Sequence, residues 1–277
     1  MIKFSVLLCT YAKDNPEQLA QSINSTLEQT VLPDEWVIVK DGILTKELDE
    51  VIDNLELPGT LRVVALPENV TLGPARMVGL KAASHEWVAL VDSDDVCLPG
   101  RFEKQLALIK TDPNLCIVGG QIIEFEEIPG TELAKRSVPV SHEDILKRAK
   151  KRNPFSAMTV VFRRDKALEA GGFRYHPGFE DYDLWARMIA NGAYCANHSD
   201  VLVHARAGKN MYARRRGINY ILSEWQMQSN LRKLGINNSF DFLINLLTRI
   251  PIRLLPAETL GHIYKRFART KTSHPTY

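Results

Sequence analysis

Short apolar runs alternate with helix signals over the first 125 residues, and this alternation restricts the fold more than any other feature of the chain. Five runs have the length and composition of strands that are buried on both faces. They cover residues 2–9, 36–39, 61–66, 87–91 and 116–125. Helix signals separate them at residues 15–27, 73–83 and 99–110. The alternation predicts an α/β fold in which helices cover both faces of a mostly parallel sheet.

The periodicity weakens after residue 125. The predicted elements there are two helices and two strands, at residues 141–151, 183–190, 158–162 and 201–204. Residues 219–270 have a mixed apolar and basic pattern that predicts helices, broken at Pro251 and Pro256. We therefore expect a body of residues 1–206 and a basic, largely helical extension of residues 207–277.

The charge of the chain is unevenly distributed along its length. The net charge is only +2 for 277 residues, whereas dedicated nucleic-acid-binding proteins carry a large basic excess, so we expect no nucleic-acid partner. Residues 203–277 hold 13 Lys or Arg and three acidic residues, which leaves +10 there and −8 in residues 1–202. A basic tail on an acidic body is typical of contact with phosphate groups or an anionic membrane.

The cysteine and hydropathy patterns bear on the compartment. The four cysteines form no CxxC pair, so the sequence has no zinc or redox motif of that kind. The apolar run at residues 4–9 is too short for a signal peptide, and no run of 18 apolar residues is present to span a bilayer. We therefore expect a cytoplasmic protein, either free or bound peripherally at the inner face of the cell membrane.

Three of the predicted strands end in polar or acidic side chains. Thr10 and Tyr11 follow the first strand, Asp41 follows the second, and Asp92 and Asp94 follow the fourth. Parallel strands end at the same edge of a sheet, where ligands bind in such folds. These side chains are therefore expected to line one binding site.

Residues 92–94 form an Asp-x-Asp motif, whose carboxylates are suited to holding a hard divalent cation beside phosphate groups. The spacing alone is uninformative, because residues 181–183 share it and 15 Asp in 277 residues give about one such pair by chance. A solvated acidic turn is the alternative for the first motif. Capping of the following helix is the alternative for Glu180 and Asp181.

Several segments, in their order and spacing, resemble the family 2 glycosyltransferases. They are SVLLCTY (5–11), STLEQT (25–30), WVIVKDG (36–42), LGPAR (72–76), WVALVDSDD (87–95) with Pro99, GGF (171–173) and EDYDLW (180–185). The resemblance covers residues 4–206, about three quarters of the chain. It implies a GT-A fold, with a nucleotide-binding half at residues 1–95 and an acceptor-binding half at residues 96–206.

The resemblance also implies an activity, the transfer of a sugar from a nucleoside-diphosphate sugar to a saccharide or lipid-linked acceptor with inversion. The expected setting is bacterial polysaccharide biosynthesis for the cell envelope, with a UDP-sugar as the favoured donor. Thr10 and Tyr11 would flank the base and ribose, and Asp41 would hydrogen-bond the base. Lys40 stands where the family commonly has an acid.

The remaining donor-site residues implied by the resemblance surround the phosphates. Arg76 would reach the nucleotide, Asp92 and Ser93 would lie by the ribose, and Asp94 would ligate Mn²⁺ or Mg²⁺. Such a metal neutralises the charge that builds on the leaving diphosphate. Arg206, after the last predicted strand, is a candidate contact for the diphosphate because arginine binds phosphate bidentately, with a solvated strand end as the alternative.

For the acceptor, the resemblance implies that Asp181 is the general base, with Glu180 beside it. A carboxylate there would take the proton of the acceptor hydroxyl as that hydroxyl attacks the donor sugar. His176 is either an acceptor contact or a surface residue, and Trp185 is expected in the core.

Two other functions compete with glycosyl transfer. A sugar-1-phosphate nucleotidylyltransferase would carry a glycine-rich basic loop after the first strand, but residues 10–15 contain no Gly. A catalytically silent nucleotide-sugar or glycan-binding protein would not need the full set of Asp41, Asp94 and Asp181.

Residues 240–269 interleave apolar residues with Arg249, Arg253 and further basic residues. This pattern suits a helix that lies in an anionic membrane interface. It suits equally a helix that packs its apolar face against the body.

Overall fold

The computed structural model describes residues 2–129, 131–207 and 216–254. Its strands are β1 (Phe4–Thr10), β2 (Glu35–Lys40), β3 (Thr60–Ala65), β4 (Trp87–Asp92), β5 (Val96–Cys97), β6 (Leu115–Phe125), β7 (Glu132–Arg136), β8 (Val161–Arg163) and β9 (Tyr194–Arg206). Its helices are α1 (Pro16–Leu27), α2 (Lys46–Asp53), α3 (Leu72–Ala82), α4 (Arg101–Thr111), α5 (His142–Ala149), α6 (Arg164–Glu169), α7 (Glu180–Ala190), α8 (Ile218–Lys233) and α9 (Ser239–Arg253). Residues 208–215 and 255–277 of the expected extension lie outside the described residues.

The strands of the described residues form one sheet in the order β3-β2-β1-β4-β8-β6-β9-β5, with β7 paired to β6 at the side. The first four strands in this order are parallel to one another, as predicted. Strand β8 is antiparallel to both β4 and β6, whereas β6 and β9 are parallel. The parallel part therefore belongs to the first half of the chain, and the second half adds strands in both directions.

Apolar side chains bury both faces of the sheet, as the continuous runs predict. Within β1, Phe4, Val6 and Leu8 join a core shared with α1, α2 and α4, whereas Leu7 joins a core shared with α3, α6 and α7. Successive side chains of a strand point to opposite faces, so a strand between two helical layers is apolar throughout.

Strand β9 is much longer than the predicted strand at residues 201–204. It begins at Tyr194 and pairs with β6 along most of its length. Polar residues such as His198 and Asp200 interrupt the apolar pattern by which this strand would be recognised in the sequence. The strand predicted at residues 158–162 begins only at Val161, because residues Ala157–Thr159 form a 3₁₀ turn.

Helices α8 and α9 form an antiparallel hairpin with buried polar contacts between its two helices, while Met227 and Leu231 of α8 pack on α7. Glu224 of α8 is fully buried and accepts hydrogen bonds from Arg249 Nη1 at 2.6 Å and Arg253 Nη2 at 3.4 Å. Asn245 Nδ2 donates to Gln228 Oε1 at 2.9 Å. The two arginines that the sequence suggests for a membrane contact therefore pair with a buried carboxylate instead.

The outward face of α9 is apolar. We call this face the apolar stripe, and its members are Phe240, Leu243, Ile244, Leu247, Pro251 and Leu254. Phe240 is 70% exposed and Leu247 is 64% exposed. In the described part of the tail, the apolar stripe is thus exposed while Asn245 and Arg253 are buried. The rest of the predicted segment, residues 255–269, lies outside the described residues.

Pro251 does not break α9, which continues to Arg253. Proline removes one helical hydrogen bond, and here the freed carbonyl of Leu247 lies on the exposed face, where water is available. The helices of the described residues include none that is both long and apolar enough to cross a membrane.

Candidate active site

The carboxyl ends of β1, β2 and β4 meet at one edge of the sheet. Cys9 pairs in register with Asp92, and Thr10 pairs with Lys40. The Asp41 amide donates to the Thr10 carbonyl at 2.8 Å. The structure therefore brings together the strand ends that the sequence singles out.

A cleft of about 440 Å³ opens beside β1 and β2. Its lining residues are Tyr11, Ala12, Lys13, Asp41, Gly42, Ile43, Pro67, Glu68 and Asn69. Asp41 is buried there, and its carboxylate accepts from the Val70 amide at 2.7 Å and from Asn69 Nδ2 at 2.9 Å. Gly42 has a φ of +88°, and a Cβ at this position would lie 2.8 Å from the Asn69 amide nitrogen, so only glycine fits the wall of the cleft.

Asp14, which the sequence analysis passed over, joins two of these strand ends. Its Oδ2 accepts from Thr10 Oγ1 at 3.0 Å and from Ser93 Oγ at 2.7 Å. Burial raises the pKa of Asp14, against the hydrogen bonds that lower it. An acid in the loop after the first strand is the signal that would have found it.

The residues after β4 carry more negative charge than their surroundings balance. Burial, together with the charges of Asp92 and Asp14, raises the pKa of Asp94 to about 6. Burial and the neighbouring Asp94 raise the pKa of Asp95 well above its ordinary range. This arrangement suits a bound cation.

Arg206 braces the loop that holds Asp94. Its amide donates to Asp95 Oδ1 at 2.7 Å, and its Nε donates to the Asp94 carbonyl at 3.1 Å. The same guanidinium donates to Gln21 and lies over the ring of Phe125 at 4.5 Å. Arg206 is therefore half-buried and bonded to the protein on several sides, and a contact with the diphosphate stays a prediction.

Arg76 is buried between the two acidic parts of the site. Its Nη2 lies 2.5 Å from Asp92 Oδ1, and its Nη1 lies 3.8 Å from Glu180 Oε1. Burial alone would lower the pKa of Arg76, but the two carboxylates raise it above its ordinary value. One cation thus links the Asp-x-Asp loop to the start of α7.

The N-terminus of α3, which carries Arg76, packs closely against the loop before α7. A Cβ on Gly73 would overlap the carbonyl of Arg174, so glycine permits this approach. Thr71, immediately before α3, has a φ of +72°, which is uncommon for a residue with a β-branched side chain. Such strain is retained where the surrounding structure enforces it, often near functional sites.

Glu180 and Asp181 lie in the first turn of α7, whose N-cap is Phe179. The Asp181 carboxylate accepts from Asn153 Nδ2 at 2.6 Å through Oδ2 and from the Tyr182 amide at 2.7 Å through Oδ1. Burial and the neighbouring Asp181 raise the pKa of Glu180. The alternative that Glu180 and Asp181 cap this helix is wrong, because Phe179 is the N-cap and no side chain of the described residues caps the helix. Asn153, which contacts the other Asp181 oxygen, was not predicted from the sequence.

His176 and Trp185 are both buried. His176 Nε2 lies 3.0 Å from the Ser223 carbonyl of α8, and its Nδ1 lies 3.9 Å from Asp183 Oδ1. The expectation that His176 is a surface residue is therefore wrong, and its contact with an acceptor stays a prediction. Trp185 packs edge-on against Phe162 in the core, as expected.

The described residues include no group of three or more His, Cys, Asp or Glu side chains that could by themselves hold a metal ion. Asp94 and Asp92 nevertheless suit Mg²⁺ or Mn²⁺ at a phosphate site, because such ions are commonly bound by one or two carboxylates, with substrate phosphates and water completing the shell. The excess negative charge around Asp94 agrees with this chemistry.

Comparisons with known proteins show the family and the fold of this chain. The model of the family described as "Glycosyl transferase family 2" matches residues 5–172. The amylovoran biosynthesis glycosyltransferase AmsE of Erwinia amylovora is 40% identical over 95% of this chain and 98% of its own length. An Escherichia coli UDP-Gal:alpha-D-GlcNAc-diphosphoundecaprenol beta-1,3-galactosyltransferase is 38% identical over 96% and 97%.

Solved structures share the architecture. S. aureus TarS 1-349 in complex with UDP-GlcNAc matches with a TM-score of 0.67 and 20% identity, over 90% of this chain and 72% of that one. The mannosyltransferase PcManGT from Pyrobaculum calidifontis, in complex with GDP-Man and Mn2+, matches with a TM-score of 0.64 and 16% identity, over 97% and 76%. These matches confirm the predicted GT-A fold.

Proposed function

This chain belongs to glycosyltransferase family 2, an inverting family of enzymes, and we propose that it moves a sugar from a UDP-sugar to a saccharide carried on a lipid diphosphate. The position of Arg76 is the observation that carries the proposal. It joins Asp92, at the expected donor end, to Glu180, next to the expected base. Relatives of similar length that build amylovoran or act on diphosphoundecaprenol-linked GlcNAc support surface-polysaccharide synthesis as the setting.

In this proposal the cleft beside β1 and β2 receives the nucleotide. Tyr11 lies against the base, and Asp41 fixes the wall of the cleft through Asn69 and Val70 while accepting from the base. Asp14 holds Ser93 and Thr10 in place, so that the loop after β4 keeps its shape when the nucleotide binds.

Asp94, with Asp92 near it, would hold Mn²⁺ or Mg²⁺, which when bound neutralises charge on the leaving diphosphate. Arg206 keeps the Asp94 loop in position through the Asp94 carbonyl. Arg76 adds a buried positive charge behind Asp92.

Asp181 is the proposed general base. Its Oδ1 is occupied by the Tyr182 amide, whereas Oδ2 bonds only the Asn153 side-chain amide, which orients it. That oxygen takes the proton of the acceptor hydroxyl as the hydroxyl attacks the anomeric carbon. A single displacement inverts the configuration at that carbon.

One experiment tests the whole proposal. The full chain is incubated with UDP-galactose, Mn²⁺ and an alkyl diphosphate carrying α-linked N-acetylglucosamine, and the product linkage is read by NMR. A β-linked disaccharide is expected, and removal of Mn²⁺ by a chelator should abolish it. The proposal is overturned if neither UDP-galactose nor any other UDP-sugar gives a disaccharide, that is, if each gives only donor hydrolysis or no reaction.

A separate variant tests whether Asp94 binds the metal ion. Asp94→Ala should weaken Mn²⁺-dependent UDP binding about 10²-fold, in line with the several kcal/mol that a metal contributes at phosphate charge. UDP binding that keeps its Mn²⁺ dependence in this variant would contradict the assignment.

We also propose that the apolar stripe of α9 contacts an anionic membrane, where a lipid-linked acceptor resides. The stripe exposes Phe240, Leu243 and Leu247 along one helical face. Basic sequence adjoins both ends of the hairpin, with Arg214–Arg216 before α8 and Lys265, Arg266, Arg269 and Lys271 after α9. Apolar contact combined with basic residues is the chemistry of peripheral binding at the inner face of a cell membrane.

Vesicle flotation tests this contact. Binding to phosphatidylglycerol vesicles should exceed binding to phosphatidylcholine vesicles and should weaken with salt. The double variant Leu243→Glu/Leu247→Glu should remove it, with Thr248→Glu, beside the stripe, as a matched control of smaller effect. Self-association that disappears in the double variant, without vesicle binding by the parent, would assign the stripe to a second copy of the chain.

A further inference from the structure

Four polar side chains in α1 and the turn after it are buried. They are Ser22, Ser25, Thr26 and Gln29. A buried polar group is unfavourable unless it is hydrogen-bonded, so the partners of these side chains indicate what they do. Three of them bond to the main chain of residues 92–98, which we call the acidic segment. We call these three the anchor residues, and they are Ser22, Ser25 and Gln29.

Helix α1 contacts the start of the acidic segment, which carries the Asp-x-Asp motif. Ser22 Oγ donates to the Asp92 carbonyl at 2.7 Å. A second link runs through Arg206, whose Nη2 donates to Gln21 Oε1 of α1 at 3.0 Å and whose Nε donates to the Asp94 carbonyl at 3.1 Å. The helix is therefore connected to the backbone at both aspartates of the motif.

The other two anchor residues hold the end of the acidic segment. The Cys97 amide donates to Ser25 Oγ at 2.9 Å, and Gln29 Nε2 donates to the Leu98 carbonyl at 2.9 Å. The Ser25 hydroxyl acts as the acceptor because it donates its own proton to the Ser22 carbonyl at 2.7 Å. Both ends of the acidic segment are thus tied to the same helix through single main-chain atoms.

The fourth buried side chain, Thr26, has different partners. Its Oγ1 accepts from Trp36 Nε1 at 2.9 Å and donates to the Ile23 carbonyl at 2.7 Å. Neither bond reaches the acidic segment, although Thr26 is buried as deeply as Ser22 and lies on the same helix. Thr26 therefore separates the effect of losing a buried hydroxyl from the effect of releasing the acidic segment.

The chemistry of a metal site explains why these contacts are polar. Hydrogen bonds are directional, whereas apolar burial is not, so they fix a backbone more narrowly. A binding site of this kind needs its groups held to within about 0.5 Å. Three of residues 92–95 are aspartates, and their like charges favour spreading of the segment. The anchor residues oppose this spreading through main-chain atoms, without bonding a carboxylate of the segment.

We propose that the anchor residues are positioning residues for the divalent cation of the donor site. They hold the acidic segment so that Asp92 and Asp94 are in place before the cation binds, which lowers the conformational cost of binding. The inference rests on the proposed function, since it takes Asp94 as the metal ligand. It also gives a role to the segment at residues 25–30, for which the sequence analysis assigned none.

The first test measures the UDP affinity of the full chain by calorimetry, with Mn²⁺ and without it. Ser22→Ala should lower the affinity with Mn²⁺ about 10-fold, the usual effect of removing a group that orients a metal ligand. The affinity without Mn²⁺ should be unchanged, because other residues line the cleft that receives the base. Gln29→Met, which keeps the length of the side chain, should act in the same direction. A loss of affinity that is equal with and without Mn²⁺ would overturn the proposal.

Thr26→Val is the matched control. It removes a buried hydroxyl from the same helix, so it should lower stability much as Ser22→Ala does, but it should keep the whole gain in UDP affinity that Mn²⁺ gives. If Thr26→Val loses as much of that gain as Ser22→Ala, the effect is general destabilisation and the proposal is wrong.

The second test uses neither metal nor nucleotide. Ser25→Ala removes the acceptor of the Cys97 amide, so amide hydrogen exchange in the acidic segment should become about 2- to 10-fold faster, the effect of losing one hydrogen bond. Thr26→Val should leave this exchange unchanged. Unchanged exchange in Ser25→Ala would show that α1 does not hold the segment and would overturn the proposal.

Failure of this inference and failure of the proposed function give different results. If Ser22→Ala loses the Mn²⁺ gain as expected but the parent transfers no sugar, the proposed function fails and the positioning role stands. If the parent transfers sugar with Mn²⁺ and Ser22→Ala keeps the full Mn²⁺ gain, the positioning role alone fails. If the UDP affinity of the parent does not depend on Mn²⁺, the metal assignment and the positioning role fail together.

Discussion

The body and the α8–α9 hairpin use opposite arrangements of polar and apolar side chains. In the body, Leu7 and Leu80 are buried between helices and sheet, and charged side chains gather at the strand ends. In the hairpin, Glu224 and its two arginines are inside, and the apolar stripe is outside. An amphipathic pattern therefore shows that a helix has two faces without showing which face is turned inward.

The difference extends to what holds each region together. Burial of apolar surface stabilises the body, and this effect is non-directional and tolerates small changes of shape. The hairpin depends on a buried carboxylate that must keep its partners, because an unpaired buried charge is strongly unfavourable. We expect the two regions to respond differently to removal of charge and to removal of apolar volume.

The largest expected effect concerns chemistry in the body. Asp181→Asn keeps the shape of the side chain and removes its basicity, so transfer should fall about 10²- to 10⁴-fold, the usual range for general-base catalysis. UDP affinity should be unchanged. Turnover numbers and UDP binding, measured on the same preparation, check both statements.

Asp165→Asn is the matched control. Asp165 lies in the first turn of α6 and accepts from the next amide, as Asp181 does in α7, but it lies outside the candidate site. The two variants should lose similar stability. If Asp181→Asn and Asp165→Asn lose similar activity, or if Asp181→Asn keeps near-normal turnover, Asp181 is not the general base.

The next effect concerns the interior of the hairpin. Glu224→Gln leaves Arg249 and Arg253 without their buried counter-charge, and it should cost about 3–5 kcal/mol of local stability. Amide hydrogen exchange in α8 and α9 is the measurement. Glu50→Gln, in an exposed ion pair with Lys46, should cost less than about 1 kcal/mol. Unchanged exchange in Glu224→Gln would mean that the ion pairs do not hold the hairpin.

A pair of identical substitutions sharpens the comparison. Leu80→Ala removes volume from the core and should cost about 2–5 kcal/mol in urea unfolding. Leu247→Ala, on the apolar stripe, should change stability by no more than about 0.5 kcal/mol. Equal costs would show that the stripe is covered in the isolated protein.

The last expected effect is a pH dependence of stability that comes from His176, which lies where the body meets α8. Burial lowers the pKa of His176, but the nearby Asp183 carboxylate and the hydrogen bond with the Ser223 carbonyl outweigh it and raise the pKa above the ordinary 6.5. Its contribution to stability is therefore complete below about pH 6.5 and is lost as pH rises through the raised value. The stability difference between the parent and His176→Gln should shrink by about 1 kcal/mol or less from pH 5 to pH 8. A difference that is constant over this range would contradict the ion pair.

The sequence predicted the parts of the molecule that follow from local patterns. Continuous apolar runs identify β1, β2 and β4, and their polar ends identify Asp41, Asp92 and Asp94. Asn153 could not be found in this way, because its importance comes from its contact with Asp181, which is distant in the sequence. Asp14 lies in the loop after β1, but only the structure reveals its contact with Ser93.

The sequence could not predict how α9 is oriented. Its spacing fixes which residues share a face, but the inward face was decided by Glu224, 25 residues before Arg249. The short helix α2 was missed although Leu48, Val51 and Ile52 have helical spacing and Thr45 precedes them as the N-cap. The few apolar residues of β7 form no distinct period. Arg206 was predicted to contact the diphosphate from its residue type and its place after the last strand, and the sequence did not predict its hydrogen bonds to the carbonyls of Asp94 and Glu127.

The sharing of Arg76 by Asp92 and Glu180 has a consequence for the order in which the two substrates bind. A cation that binds near Asp92 changes how much of the Arg76 charge is available to Glu180, and therefore changes the electrostatic free energy of the acceptor side. Binding free energies are reciprocal, so whatever factor the donor applies to acceptor affinity, the acceptor applies to donor affinity. If donor and acceptor bind as proposed, we expect the buried Arg76 guanidinium to couple their affinities, although they would occupy separate sites.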